Sequence, residues 1–139
     1  MQPASPGETA RAERRKTMSK TITEWVAEVH GLARSKGWWT PYDEGALRTL
    51  SADQVLSKLM LVTTELAEAA EEVRLPNFDP HAIKEGVASK PEGFTVELAD
   101  AVIRLLDLAG AMGLDLEAAI REKHAYNATR PTRHGGKRA

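Results

Sequence analysis

The chain contains no cysteine, so disulfides, thiolate metal sites and cysteine nucleophiles are excluded, and any metal it binds must be held by oxygen and nitrogen. Aromatic residues make up only 5% of the sequence. That scarcity, with Ala, Leu, Glu and Lys plentiful, argues against a β-sandwich or barrel and for helices. No apolar run reaches the roughly 18 to 20 residues needed to cross a bilayer. The N-terminus also lacks the apolar stretch of a signal peptide, so a cytoplasmic protein with no membrane partner is expected. Charge of one sign is lacking too. Lys and Arg total 19 against 20 Asp and Glu, a net charge of -1 that gives no global attraction to nucleic acid. An anionic substrate would have to be handled locally. The 139 residues suffice for one core and not two.

Residues 1–18 hold Pro3, Pro6, Gly7 and a charged run from Arg11 to Lys16 with little apolar periodicity, and are expected to be a disordered extension in which Met18 is an alternative start. Residues 19–130 carry the helical domain. Ile22, Trp25, Val26, Val29 and Leu32 recur at three and four, behind a Thr21/Glu24 capping-box spacing, and predict a first helix ending near Gly37. A loop with Trp38, Trp39 and Pro41 follows. Ser51 and Gln54 repeat the capping spacing and open a second helix to about Arg74, stopped by Pro76. Pro76, Pro80, Gly86, Pro91 and Gly93 break up residues 76–94, a connection long for a helical bundle, with room for one short helical turn. A third helix is expected from Thr95 to Met112, ended by Gly113. A fourth runs from Leu116, capped by Asp115, to Thr129, before Pro131 and a basic tail over 131–139. The expected class is all-α and four-helix-bundle-like.

Two acidic pairs stand out. Glu65 with Glu68, and Glu97 with Asp100, are each spaced i and i+3, which sets both carboxylates on one helix face about 5 to 6 Å apart between Cβ atoms. Either pair alone is what an ordinary solvated helix carries. The third helix changes the argument. Glu97, Asp100, Arg104 and Asp107 form one stripe, while Val96, Leu98, Val102, Ile103, Leu105, Leu106 and Leu108 fill the remaining surface. A helix apolar nearly all round is expected to be buried, so its charged stripe should face an internal cleft or an interface. Unpaired carboxylates there would cost several kcal/mol each. Arg104 offsets one, and a divalent cation would answer the rest. All four candidates are hard oxygen donors, suited to Mg²⁺ or Mn²⁺. A ferritin-like di-iron site wants Glu-x-x-His pairs, and none of His30, His81, His124 or His134 has Glu three positions before it. On the fourth helix, Leu116, Ile120, Lys123 and Asn127 step by four, three and four, with Arg130 beyond. Lys123 is placed either to snorkel at a helix end or to grip phosphates.

These segments resemble the MazG-like nucleotide pyrophosphohydrolases, part of the all-α NTP pyrophosphatase superfamily. The resemblance is carried by Glu65-x-x-Glu68 and Glu97-x-x-Asp100, by Gly37-Trp38-Trp39, by Lys90-Pro91-Glu92-Gly93-Phe94, and by the run from Tyr126-Asn127 to Gly135-Gly136-Lys137. It covers about Thr21 to Lys137. It implies a dimer or dimer of dimers, Mg²⁺ held by Glu65, Glu68, Glu97 and Asp100, and hydrolysis of a nucleoside triphosphate at the α-phosphate to the monophosphate and pyrophosphate, as in nucleotide-pool house-cleaning. Glu65 or Glu68 would take the proton from the attacking water. Lys123, Asn127 and Arg130 match positions used for the nucleotide. Thr64 stands where many members carry Glu, which leaves Glu71 and Glu72 as the nearest substitutes and the number of metals open.

Trp38 is a candidate for stacking on a base, while a pair of buried loop anchors is the commoner role for Trp38 and Trp39. Phe94, just before the metal helix, suits a lid or a hinge. The competing class is a non-enzymatic helical oligomerisation or binding module whose acidic stripe pairs with a basic partner.

Overall fold

A computed structural model of the protein describes residues 19–39 and 50–132. The expected extension over 1–18, residues 40–45 of the tryptophan loop and the tail from Arg133 lie outside the described residues. Among the described residues the architecture is all-α, with four helices: α1 (Ile22–Ser35), α2 (Ala52–Val73), α3 (Phe94–Met112) and α4 (Leu116–Thr129). No described helix is long and apolar enough to cross a membrane. The chain divides into two compact units. Val26–Leu114 forms one, and the described residues of Met1–Trp25 and Asp115–Ala139 form the other.

α1, α2 and α4 begin where side chains satisfy first-turn N–H groups. Thr21 Oγ1 accepts from Glu24 N at 3.1 Å while Glu24 Oε2 accepts from Thr21 N at 2.7 Å, a complete capping box. Ser51 and Gln54 make the same reciprocal pair at the start of α2. Asp115 accepts from Ala118 N at 2.9 Å and opens α4. Gly113, at φ 64° and ψ 34°, ends α3 in the left-handed conformation that glycine adopts without strain.

Within Val26–Leu114, α2 and α3 pack antiparallel: the cross-links that follow fall in reverse order along the two helices. Among the described residues, Trp39, Ala69, Ala101, Leu106, Leu108 and Ala109 are the buried apolar ones. The backbone of α1 passes close to α3 because residue 110 is glycine, where an added Cβ would meet His30 Cβ at 2.5 Å. The expectation that α3 is buried nearly all round is corrected here. Leu98, Val102, Ile103 and Leu105 are exposed in the single chain, as are Leu56, Leu59, Met60 and Leu66 of α2. Two antiparallel helices and a short core cannot cover both faces at once.

The connection between α2 and α3 holds the single helical turn expected, a 3₁₀ turn at Val87–Ser89, and also a feature the sequence did not reveal. Lys84–Glu85 (β1) and Pro91–Glu92 (β2) pair antiparallel on either side of that turn, with Lys84 opposite Glu92. Ala88 and Ser89 both take positive φ, 56° and 60°, and Ser89 Oγ donates to Glu85 Oε1 at 2.6 Å across the tip. Lys84 Nζ reaches Glu72 of α2 at 2.7 Å, Thr95 Oγ1 donates to Pro80 O at 2.6 Å, and Phe78 meets Phe94 edge to face at 5.4 Å. Gly93, at φ 124°, sits where an added Cβ would strike Ala82 O at 2.5 Å. Its carbonyl accepts from Val96 N and Glu97 N, so α3 starts from a fixed point.

In the other unit, Glu117 of α4 takes the N–H and hydroxyl of Thr23 on Oε2, at 3.0 and 2.9 Å, and Arg121 Nη2 on Oε1 at 2.6 Å. A first-turn N–H of α1 is thereby satisfied by a carboxylate, which also favours the helix dipole.

Candidate metal centre

The antiparallel pairing of α2 and α3 sets the two acidic motifs against each other. Glu65, Glu68 and Glu97 each offer an oxygen, and these atoms lie within 4.8 Å of one another. Glu65 and Glu97 are buried, each 5% exposed, and Glu68 is exposed. Two oxygens on one Mg²⁺ at about 2.1 Å lie at most about 4.2 Å apart, so the three need only small rotamer changes to share an ion.

The electrostatics of the group are uneven. Oε1 of Glu65 accepts from Arg104 Nε at 2.6 Å. Oε2 of Glu97 is buried without a hydrogen-bond partner among the described residues. Burial, first, and then the charge of Glu68 hold the Glu97 carboxyl above its usual range; Asp100 and Glu65 add to this, and Lys90 opposes it. A buried carboxylate oxygen with nothing to bond is costly, and native folds rarely leave one unanswered. The donor set is oxygen only, with no histidine in the group, which suits a hard divalent cation and not a di-iron site of the Glu-x-x-His kind. The three carboxylates could therefore hold a metal ion.

Asp100, one turn beyond Glu97, is half-buried and does not belong to the three-carboxylate group, although its charge acts on Glu97. The substitutes considered for the residue before the first motif are otherwise engaged: Glu71 pairs with Arg74 on the surface at 2.9 Å, and Glu72 holds Lys84.

Asp107, the last member of the α3 stripe, belongs to a separate cluster. Its carboxylate lies 2.7 Å from His30 Nδ1 and accepts Trp39 Nε1 at 2.9 and 3.2 Å. Trp39 meets the His30 ring edge-on at 5.4 Å and carries Lys58 Nζ 4.2 Å from its own ring centroid. Only one tryptophan is therefore the buried anchor expected of the pair: Trp39 is 4% exposed and Trp38 is 70% exposed. Spacing along α3 singled out Asp107, but nothing local marks His30 as its partner.

Lys123, Asn127 and Arg130 belong to the other unit. Lys123 and Asn127 are exposed on α4, and Arg130, half-buried, caps its C-terminus. Lys123 Nζ and the Arg130 guanidinium both lie against Tyr126, at 5.0 and 5.9 Å from its ring centroid. Ile120 is 45% exposed, and α4 buries no residue fully in the single chain. Comparisons with protein-family models, with curated proteins and with solved structures return no match for this chain.

Proposed function

We propose that the chain is a Mg²⁺-dependent nucleoside triphosphate pyrophosphohydrolase of the MazG-like kind, converting an NTP or dNTP and water to the monophosphate and pyrophosphate. The observation that carries this reading is the buried Oε2 of Glu97, without a hydrogen-bond partner among the described residues, on a side chain grouped with Glu65 and Glu68. The sequence motifs that resemble the family supply the reaction class.

Glu65, Glu68 and Glu97 would hold the ion, with Asp100 one turn away. When bound, Mg²⁺ supplies Lewis-acid polarisation of the α-phosphate and a lowered pKa for water. The protein's own part begins with Glu68. It is exposed and makes no hydrogen bond among the described residues, so its carboxylate is free to accept the proton of the attacking water, whereas Glu65 is already engaged by Arg104. In-line attack expels pyrophosphate, and positioned positive charge offsets the developing negative charge on the phosphate oxygens. Lys123, Asn127 and Arg130 are nucleotide contacts on the resemblance alone. The uncovered apolar faces of α2 and α3 support self-association into a dimer or dimer of dimers.

One observation favours the binding-module alternative, the Arg104–Glu65 pair, which shows that a basic side chain can answer this stripe. It leaves the Glu97 oxygen unpaired, and for that reason hydrolysis is the better reading.

The test is release of pyrophosphate versus orthophosphate from a panel of ribo- and deoxyribonucleoside triphosphates with Mg²⁺, Mn²⁺ or a chelator. Metal-dependent pyrophosphate with matching monophosphate supports the proposal. No release, with stability unchanged on chelation, favours the binding module.

A further inference from the structure

Arg104 follows Glu97 by seven positions and Asp100 by four, so the three share one face of α3. Its Nε donates to Glu65, one of the three carboxylates that gather within 4.8 Å. A guanidinium carries five N–H donors, and this bond uses one. The two terminal nitrogens make no hydrogen bond among the described residues, and the side chain is 41% exposed. The remaining donors, with the full positive charge, therefore border the acidic group while open to solvent. An arginine kept only to neutralise Glu65 would do so best through the two-pronged fork, with two parallel bonds. Here a single Nε contact leaves the end of the fork available.

Charge identifies what it is available for. Glu65, Glu68 and Glu97 together with Asp100 bring up to four negative charges to this face. A bare anion is repelled there, and even beside a divalent cation it meets a net negative wall unless a further cation stands on the solvent side. Arg104 is in contact with the group and open to that side, and the orphan oxygen of Glu97 marks the same group as built for a ligand.

We infer that Arg104 is an anion-binding residue of this site: its Nε holds Glu65 while its terminal nitrogens take a non-bridging phosphate oxygen of the substrate. The inference rests on the pyrophosphohydrolase reading above.

The experiment titrates Mn²⁺ alone, and then inorganic phosphate at saturating Mn²⁺, into the full chain, Arg104→Gln and Arg104→Lys. Arg104→Gln is expected to keep Mn²⁺ affinity within about threefold and to lose phosphate affinity by about tenfold, as removal of a charge-assisted bond requires, with Arg104→Lys between the two. In the unaltered chain with Mg²⁺, the ¹⁵N resonances of the Arg104 terminal nitrogens should shift on adding phosphate while Nε–H keeps its bond to Glu65, a readout that needs no variant to fold. Phosphate affinity unchanged in Arg104→Gln, or no shift at those nitrogens, overturns the inference. So does loss of Mn²⁺ binding in Arg104→Gln, which would make Arg104 only a brace for Glu65. An unaltered chain that takes up no Mn²⁺ defeats the hydrolase reading itself and this inference with it, a result distinct from the others.

Discussion

Nδ1 of His30 and Nε1 of Trp39 converge on one carboxylate, Asp107, at 2.7 and 2.9 Å, so a single side chain of α3 secures both α1 and the residues that follow it. Asp107→Ala removes the carboxylate that the buried Trp39 indole N–H and the His30 ring share. The expected loss is about 1 to 3 kcal/mol of unfolding free energy, measured by urea denaturation followed through tryptophan fluorescence. A variant as stable as the parent would mean that the cluster carries no net stability.

Divalent metal should act as a folding ligand. Burial raises the Glu97 carboxyl above its usual range, so its contribution to stability is present below the unfolded pKa and is lost as pH rises through the folded one. Where Glu97 is ionised, the metal-free chain bears the cost of that buried charge. Adding Mg²⁺ or Mn²⁺ should raise the melting temperature, and chelation should reverse the rise. Glu97→Gln should melt higher than the metal-free parent and respond little to metal; calorimetry with and without chelator reads both effects.

Glu68→Gln should remove turnover by about a hundredfold or more while leaving the melting temperature close to that of the parent, since the side chain is exposed and makes no hydrogen bond among the described residues. Full activity in this variant would dismiss Glu68 as the proton acceptor.

Glu117 gives an acid-sensitive contact in the other unit. The hydrogen bond from Arg121, and then those from the backbone and hydroxyl of Thr23, hold its carboxyl down at about 2. With an unfolded value of about 4.3, the stabilisation is complete above that pH and is lost as pH falls toward the folded value. The stability gap between the parent and Glu117→Gln should be constant from neutrality to about pH 5 and close toward pH 2. Thermal melts by circular dichroism across that range check the sign; a gap that widens in acid would contradict it.

The helices were legible because their ends are written locally. Thr21 with Glu24, Ser51 with Gln54, Asp115 and Gly113 each act within one turn of their own position, and all four cap as their spacing suggested. The carboxylates were legible for a similar reason, since i and i+3 spacing alone puts Glu65 beside Glu68, and Glu97 opposite them needs only that α2 and α3 meet. What was not legible depends on distance along the chain or on very short elements. His30 and Asp107 are 77 positions apart, and no periodicity links them. Two strands of two residues each leave no alternation to read. Trp38 and Trp39 are chemically identical neighbours, and contacts of Trp39 distant in sequence, such as that with Asp107, distinguish the one that is buried. The burial expected of α3 failed because an apolar surface records what must be covered and not what covers it.

Connecting loops on protein surfaces commonly drift in length without consequence. The loop before α3 lacks that latitude. Gly93 is fitted against Ala82 O, and its carbonyl receives the N–H of Glu97 itself. A residue gained or lost between Ala82 and Gly93 must be absorbed in that short span or passed into α3, where each position turns the helix by about 100° and would swing Glu97 off the face it shares with Glu65. Insertions are thus far better tolerated at the exposed tip around Val87 than at the joint with Gly93, and the length of an unassuming loop becomes part of what defines the acidic group.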